Sequence, residues 1–289
     1  MSQPQKISLL SRLQVDKSFP EIIAVTSGKE GVGKSFLSIN IAILLGQLKK
    51  KILLIDADIH PENINVMLGI RPKYSIADVL NGKVDLRQII INSHGGIDIL
   101  LASSAIPELL VMENHSIKKF KDAFSQLENE YDTIIIDTGA GINRNVIPSV
   151  LSGDKVILMV TPDPASIADA YGMIKMLRQH QAAMPLIMII NMAISENEGE
   201  SIFNKMSLMV HRFMDSKINF GGTIMQDNLI VESVRQQIPL TVKNPDSLTV
   251  NTIKGIIRKT LSLPAKEVSE QSGFFSGFML HRNFNIGDE

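Results

Sequence analysis

Six runs of strand length recur along this 289-residue chain, and most of them are apolar at every position rather than at alternate ones. Such runs are typical of strands buried on both faces of a parallel sheet. Helical patterns lie between them, which predicts an α/β fold with a single doubly wound, mostly parallel sheet flanked by helices. Strands are expected at Ile22–Val25, Ile52–Ile55, Ile97–Leu101, Thr133–Ile136, Val156–Val160 and Leu186–Ile190. Helices are expected at Lys34–Leu48, Ser116–Glu128, Pro164–Gln179, Glu200–Met214 and Leu248–Leu261.

This alternation also sets the expected domain boundaries. It fills residues 21–263, which leaves an appended segment at 1–20 and a tail at 264–289. The formal net charge of -1 gives no overall field for nucleic acid, and the absence of cysteine excludes a thiolate-held cluster. Neither a signal peptide nor an apolar run of about 18 residues is present, so the cytoplasm is the expected compartment.

A glycine-rich loop follows the first expected strand and leads into a helix. It reads, in order, Gly28, Lys29, Glu30, Gly31, Val32, Gly33, Lys34 and Ser35. This spacing in a strand–loop–helix context predicts a phosphate-binding loop, whereas a mere glycine-rich turn would need no such context. The Lys34 ammonium would reach the β- and γ-phosphates, and the Ser35 hydroxyl would ligate Mg²⁺. Phe36 follows in the first helical turn and joins the expected nucleotide-binding residues.

Two further strands end in acidic residues. Asp56 and Asp58 follow the run Ile52–Ile55, and Asp137 follows Thr133–Ile136. Strands of a parallel sheet deliver their carboxyl ends to the ligand crevice, so the three carboxylates are predicted to lie near the loop and to serve Mg²⁺. Each acid alone could be an ordinary strand-end aspartate, but the set in this order after the loop favours nucleotide chemistry.

The sequence around these residues resembles the MinD/ParA ATPases, and within them the FlhG (FleN) group of flagellar regulators, over roughly residues 21–262. The resemblance rests on Lys29 at the head of the loop and on the segments Asp56–Asp58, Leu68–Tyr74, Ile136–Ile142 and Thr161–Tyr171. It implies an ATP/ADP- and Mg²⁺-binding switch that hydrolyses ATP slowly, dimerises with ATP and regulates flagellar number or placement.

The resemblance also assigns roles to single residues. Lys29 would reach the phosphates of a dimer partner, and Asp58 would orient the attacking water; with Lys34 they form the expected catalytic set. Asn191 and Asp227 match positions on the adenine side, although asparagine and aspartate also favour caps and turns. Glu30 stands where the group usually has glycine, and its charge is expected to slow hydrolysis.

The two ends of the chain bear on partners. Residues 3–13 have helical apolar spacing but lack the motif with which the group stimulates the GTPase FlhF. FlhF and flagellar C-ring components are therefore partners by resemblance only. The tail carries Phe274, Phe275, Phe278 and Met279 on one side, like the membrane-targeting helix of the group, which implies a peripheral position at the inner membrane face. Alternatively, the tail folds back onto the body.

Other functions compete with this interpretation. A ParA-like partitioning ATPase would bind DNA non-specifically, and the basic residues that hint at it are Lys49–Lys51 and Lys118–Lys119. Specific nucleic-acid binding is not expected. The lack of cysteine opposes a cluster scaffold, and none of the three tyrosines lies in a tail, which opposes a tyrosine autokinase.

Overall fold

The computed structural model describes residues 20–59, 64–102, 114–180, 184–264 and 273–281. The predictions for residues 3–13 and for the ends of the tail lie outside these ranges. Within them, eight strands form one sheet in the order β3-β4-β2-β5-β1-β6-β7-β8, and only the β3–β4 pair is antiparallel. The strands are β1 (Glu21–Ser27), β2 (Ile52–Ala57), β3 (Ile91–Asn92), β4 (Asp98–Leu101), β5 (Thr133–Ala140), β6 (Lys155–Val160), β7 (Leu186–Ala193) and β8 (Asn219–Met225).

Helices cover both faces of the sheet. They are α1 (Lys34–Gln47), α2 (Ile64–Met67), α3 (Ile76–Leu80), α4 (Asn114–Glu128), α5 (Ile147–Leu151), α6 (Pro164–Gln179), α7 (Glu196–Met214), α8 (Asn228–Arg235), α9 (Leu240–Lys243), α10 (Leu248–Ser262) and α11 (Phe274–His281). Two 3₁₀ turns, Leu86–Ile89 and His94–Gly96, flank β3. In the described ranges, no helix has both the length and the apolarity needed to cross a membrane.

The fold prediction is confirmed, because each apolar run became a strand and each helical pattern a helix. Two strands were not among the six runs. β3 is too short to form a run, and β8 is interrupted by Gly221 and Gly222. A Cβ at Gly221 would lie 2.8 Å from the Ile187 side chain, so glycine is what allows β8 to pair with β7 there.

The sheet separates two apolar cores because neighbouring residues of a strand point to opposite faces. In β1, Ile22 and Ala24 belong to the core beneath α4 to α7 and α11, while Ile23 and Val25 belong to the core beneath α1, α9 and α10. β1 is therefore buried on both faces. This placement fixes the strand whose carboxyl end leads into the glycine-rich loop.

The described part of the tail folds back onto the body, which is one of the two outcomes that the sequence left open. In α11, Phe274, Phe275 and Phe278 are almost fully buried. The Phe274 and Phe275 rings lie 5.6 and 5.7 Å from the ring of Phe124 in α4. A Cβ at Gly277 would lie 2.9 Å from Ser152, directly after α5, so glycine permits this close packing.

Candidate functional site

The glycine-rich loop links β1 to α1 and packs closely against residues of β7 and α6. Gly33 adopts φ +96° at the N-cap of α1, and a Cβ there would lie 2.4 Å from Asn191. A Cβ at Gly28 would lie 2.4 Å from the backbone of Asp169 in α6. Left-handed backbone and absent Cβ atoms are what a loop needs to wrap its N–H groups around phosphate.

Lys34 and Ser35 lie in the first turn of α1, beside the end of β5. Lys34 is buried, and its ammonium interacts with the Asp137 carboxylate. The Ser38 hydroxyl, one turn further along α1, donates to Asp137 Oδ1 at 3.0 Å. The sequence prediction missed Ser38, although its position four residues after Lys34 could have placed it on the same face of the helix.

The three predicted carboxylates are brought together. Asp56 in β2 and Asp137 in β5 are register partners in adjacent strands, and the Asp58 backbone N–H donates to Asp56 Oδ1 at 3.2 Å. Burial, followed by the charge of Asp137, raises the pKa of Asp56 well above its ordinary value. Burial also raises the pKa of Asp137 to about 6, against the opposing effects of Ser35, Lys34 and Ser38.

This cluster fits a divalent cation held with phosphate oxygens. Asp137 is completely buried, and its Oδ2 atom has no hydrogen-bond partner within the described part of the chain. Among the same residues, no three His, Cys, Asp or Glu side chains form a complete metal cage. Mg²⁺ commonly takes one or two protein carboxylates, with phosphates and water supplying most of the other ligands, so the Ser35 hydroxyl with one or two of the three carboxylates suits it.

Lys29 and Glu30 lie at the exposed head of the loop. Lys29 forms an ion pair with Asp163, the residue that caps α6, and both side chains remain more than 40% exposed. The pair lowers the pKa of Asp163. Asp163 belongs to the segment that carried the resemblance, but no role was predicted for it. Glu30 lines the cleft above the loop.

Asn191 and Asp227 have structural partners. Asn191 Nδ2 donates to the Val32 carbonyl at 2.8 Å, which supports the loop from below, and Asn191 Oδ1 is buried without a partner in the described residues. Asp227 caps α8 by accepting from Leu229 N–H at 2.9 Å and from the Thr249 hydroxyl at 2.6 Å. The cap role left open for Asp227 is therefore filled, and an adenine contact by either residue stays a prediction.

An open cleft of about 860 Å³ lies above the loop. Its floor and one side are formed by seven residues that the sequence had predicted for the site: Glu30, Gly31, Gly33, Lys34, Ser35, Phe36 and Asp58. Its other walls are largely apolar and were not predicted: Met67 of α2, Met192 near the end of β7, and Ile230, Val231, Val234 and Arg235 of α8. Apolar walls over a charged floor suit a ligand with a flat apolar part and a phosphate tail.

The fold and this site define a class of protein, and comparison with known sequences agrees. The sequence model of the ParA family, described as NUBPL iron-transfer P-loop NTPase, matches residues 18–261. The chain belongs to the ParA family of P-loop NTPases, whose members bind a nucleotide with Mg²⁺ and hydrolyse it.

Within that family the resemblance to the FlhG group is confirmed by relatives. The antiactivator FleN of Pseudomonas aeruginosa is 33% identical and covers 84% of this chain and 87% of its own. The flagellum site-determining protein YlxH of Helicobacter pylori is 28% identical over 93% of this chain and 95% of its own. A chain of the MinC:MinD cell division protein complex of Aquifex aeolicus has a TM-score of 0.65 and 28% identity, over 86% of this chain and 100% of that one.

Proposed function

We propose that this protein is an ATP-driven switch that regulates flagellar number or placement. The observation that carries the proposal is the convergence of Lys34, Ser35 and three buried carboxylates beneath an open cleft, with Lys29 exposed at the head of the same loop. The name of YlxH, a flagellum site-determining protein, supplies the flagellar context, since the site itself specifies nucleotide chemistry and not the process that it controls.

The loop binds the phosphates and the cluster completes the site. Backbone N–H groups of residues 28–33 and the Lys34 ammonium hold the triphosphate, and the apolar walls cover the base. Ser35 and Asp137 would hold Mg²⁺, which neutralises charge on the phosphate oxygens when bound. Asp58 accepts a hydrogen bond from the attacking water and orients it toward the γ-phosphate. Asp56 accepts the Asp58 backbone N–H and keeps that acid at the end of β2.

Dimerisation depends on Lys29. In the single chain its ammonium is paired with Asp163, and an exposed pair of this kind contributes about 1 kcal/mol at most. The phosphates bound in a second copy carry more negative charge than one aspartate, so they would displace Asp163 from the Lys29 ammonium. Lys29 therefore leaves Asp163 when ATP brings two copies together, and it contributes charge across the dimer.

Glu30 is the feature that slows the switch. Glu30 lines the cleft, whereas a relative with glycine at this position would place no charge there. It either repels the γ-phosphate or pairs with the partner's lysine, and both effects oppose turnover. FlhF and C-ring proteins are the partners that the FlhG resemblance implies, and they would bind the dimeric form selectively.

A peripheral position at the cytoplasmic membrane face is part of the proposal. It requires α11 to leave the body, because Phe274, Phe275 and Phe278 are buried there and cannot contact lipid. The cycle therefore has two coupled forms: a monomer with α11 docked, and an ATP dimer with α11 exposed.

Size-exclusion chromatography with light scattering, run with ADP and with ATP, tests the proposal. The wild-type chain should be monomeric with ADP and dimeric with ATP. Lys29→Ala should bind ATP with unchanged affinity and remain monomeric, whereas Asp163→Ala should dimerise at lower protein concentration. Lys83→Ala, which breaks another surface ion pair away from the cleft, is the matched control. ATP-dependent dimers of Lys29→Ala would refute the role of that lysine.

The same samples separate the alternative function. Salt-sensitive binding of the ATP form to arbitrary DNA, with no binding to anionic vesicles, would favour a partitioning ATPase over the proposed regulator.

A further inference from the structure

The helix α8, which forms one wall of the cleft, ends in an unusual residue. The Gln237 N–H donates to the Val234 carbonyl and the Ile238 N–H to the Ser233 carbonyl, both at 3.1 Å. These two bonds define a Schellman C-cap, in which the residue at the position of Gln237 adopts left-handed backbone and is usually glycine. Gln237 has φ +56°, so the chain keeps a side chain where it strains the backbone.

The Gln237 side chain reaches α2, which contributes Met67 to the lining of the cleft. Its Nε2 atom donates to the Val66 carbonyl at the end of α2, at 2.7 Å. Gly69 follows α2 with φ +64°, and a Cβ there would lie 2.9 Å from Gln237 Oε1. The turn after α2 is therefore shaped to receive this amide.

Helix α2 is held at both ends by polar contacts. The Ile64 N–H at its start donates to the Asp56 carboxylate, and the Val66 carbonyl near its end accepts from Gln237. Met67, the residue after Val66, lines the cleft. A movement of α2 would thus alter the cleft wall and the hydrogen bonding of Asp56 together.

We propose that Gln237 is a positioning residue that clamps α8 to α2 beside the nucleotide cleft and so holds Asp56 and Asp58 in the geometry that Mg²⁺ and the attacking water require. This inference rests on the proposed nucleotide function. It explains why a strained glutamine stands where a glycine would cap α8 at lower cost.

The chain contains a matched control for the strain. Helix α1 ends in the same motif, with Lys49 at φ +63° and bonds from Lys49 N–H to the Gly46 carbonyl and from Lys50 N–H to the Leu45 carbonyl. Lys49 is exposed and lies about 20 Å along α1 from the loop. Replacing either residue with glycine relieves left-handed strain, but only the change at Gln237 removes the clamp.

The experiment compares Gln237→Gly, Gln237→Asn and Gln237→Glu with Lys49→Gly and Gln236→Glu in the full chain. Asparagine tolerates left-handed backbone but is too short to reach Val66, and glutamate has the length but no N–H to donate. Gln236→Glu places the same charge one residue away. Hydrogen exchange of residues 64–70 is measured without nucleotide, fluorescent-ADP affinity is measured in EDTA, and the Mg²⁺ dependence of the ATPase is measured last.

All three Gln237 variants should speed exchange in residues 64–70 and raise the Mg²⁺ concentration for half-maximal activity by about 3- to 10-fold, as loss of one hydrogen bond allows. Affinity for ADP in EDTA should stay unchanged, and Gln237→Gly should melt no lower than wild type. Both control variants should match wild type in exchange and in Mg²⁺ dependence.

Unchanged exchange and Mg²⁺ dependence in Gln237→Asn and Gln237→Glu would overturn the clamp. Equal effects of Lys49→Gly would also overturn it, because they would trace to helix capping alone. Failure of the wild type to bind fluorescent ADP would instead refute the proposed function, and the exchange measurement would still decide whether the clamp exists.

Discussion

Glu128 at the end of α4 and Asp137 in β5 are both almost completely buried, and burial raises the pKa of both, to about 7 and about 6. Their surroundings differ. Glu128 accepts backbone N–H bonds at the start of α11, including one from Phe275 at 3.0 Å. Asp137 keeps one oxygen without a partner in the described residues and has Asp56 and Asp58 close by.

This contrast separates an acid that the fold satisfies from acids that the fold leaves available. A buried carboxylate with its own hydrogen bonds stabilises the contact that it makes, here the docking of α11. Like charges gathered in the interior destabilise the protein until a cation arrives. Substitutions should therefore separate: those at the loop reduce function more than stability, and those at Glu128 reduce the docking of α11 and spare the nucleotide site.

Asp58→Ala should have the largest effect. Loss of the water-orienting carboxylate is expected to lower the rate of ATP hydrolysis by about 10²- to 10⁴-fold while Lys34 and Ser35 still bind nucleotide. The ATP-bound dimer should accumulate. Single-turnover hydrolysis and light scattering check both points, with Asp78→Ala as a control at an aspartate away from the cleft. Wild-type turnover would assign the role to another residue.

Asp137→Asn should come next. An amide cannot hold the cation as a carboxylate does, so the Mg²⁺ concentration for half-maximal ATPase should rise about 10- to 100-fold. Because ionised Asp137 is buried, the neutral variant should be as stable as wild type or more stable at pH 7. Thermal melting without nucleotide measures the second effect, and a large loss of stability would show that Asp137 is needed by the fold.

The positions of the loop and of the strand-end acids were easier to predict from the sequence than the residues that surround them. The loop and the strand-end acids follow from spacing along β1, β2 and β5, because parallel strands bring their carboxyl ends together. Asp163, Met67 and Val234 approach the loop through tertiary packing across more than thirty residues of sequence, and no local pattern marks them. No local pattern indicates the role of Gln237 either, because its partner, Val66, lies 171 residues away.

The tail shows a different limit. Its apolar spacing predicted a helix with a phenylalanine-rich side, and α11 has one. Spacing does not say what that side touches, because lipid and a protein groove are equally apolar. The groove depends on Phe124, Glu128 and Ser152, which come from distant segments.

Glu128→Ala is the converse of the changes at the loop. Removal of the acceptor leaves the first N–H groups of α11 unsatisfied in a buried place, which should weaken docking by about 1–3 kcal/mol. Hydrogen exchange in residues 274–281 should accelerate, while ADP affinity should equal that of wild type. Glu128→Gln retains an acceptor oxygen and serves as the matched control. A fall in ADP affinity of either variant would contradict the separation of the two sites.

The smallest expected effect is a pH dependence of docking that only Glu128 confers. With α11 docked, Glu128 holds its proton up to pH about 7, whereas an exposed glutamate releases it near its ordinary value of 4.5. The docked form thus binds the proton more tightly, so docking weakens as pH rises from 4.5 to 7 and levels off above 7. Lys121 on the same helix opposes the shift only weakly, and α5 and the described part of α11 before His281 present no titratable side chain to Glu128. Between pH 6 and pH 8 the docking equilibrium should shift about tenfold toward the free helix.

Because the chain has no cysteine, Leu280→Cys provides a single site for an environment-sensitive dye on an exposed position of α11. The dye signal should titrate in the wild type and remain flat in Glu128→Gln. A titration that persists in Glu128→Gln would assign the proton to another group, and a flat wild-type signal would mean that the hydrogen bonds from α11 outweigh the burial of the charge.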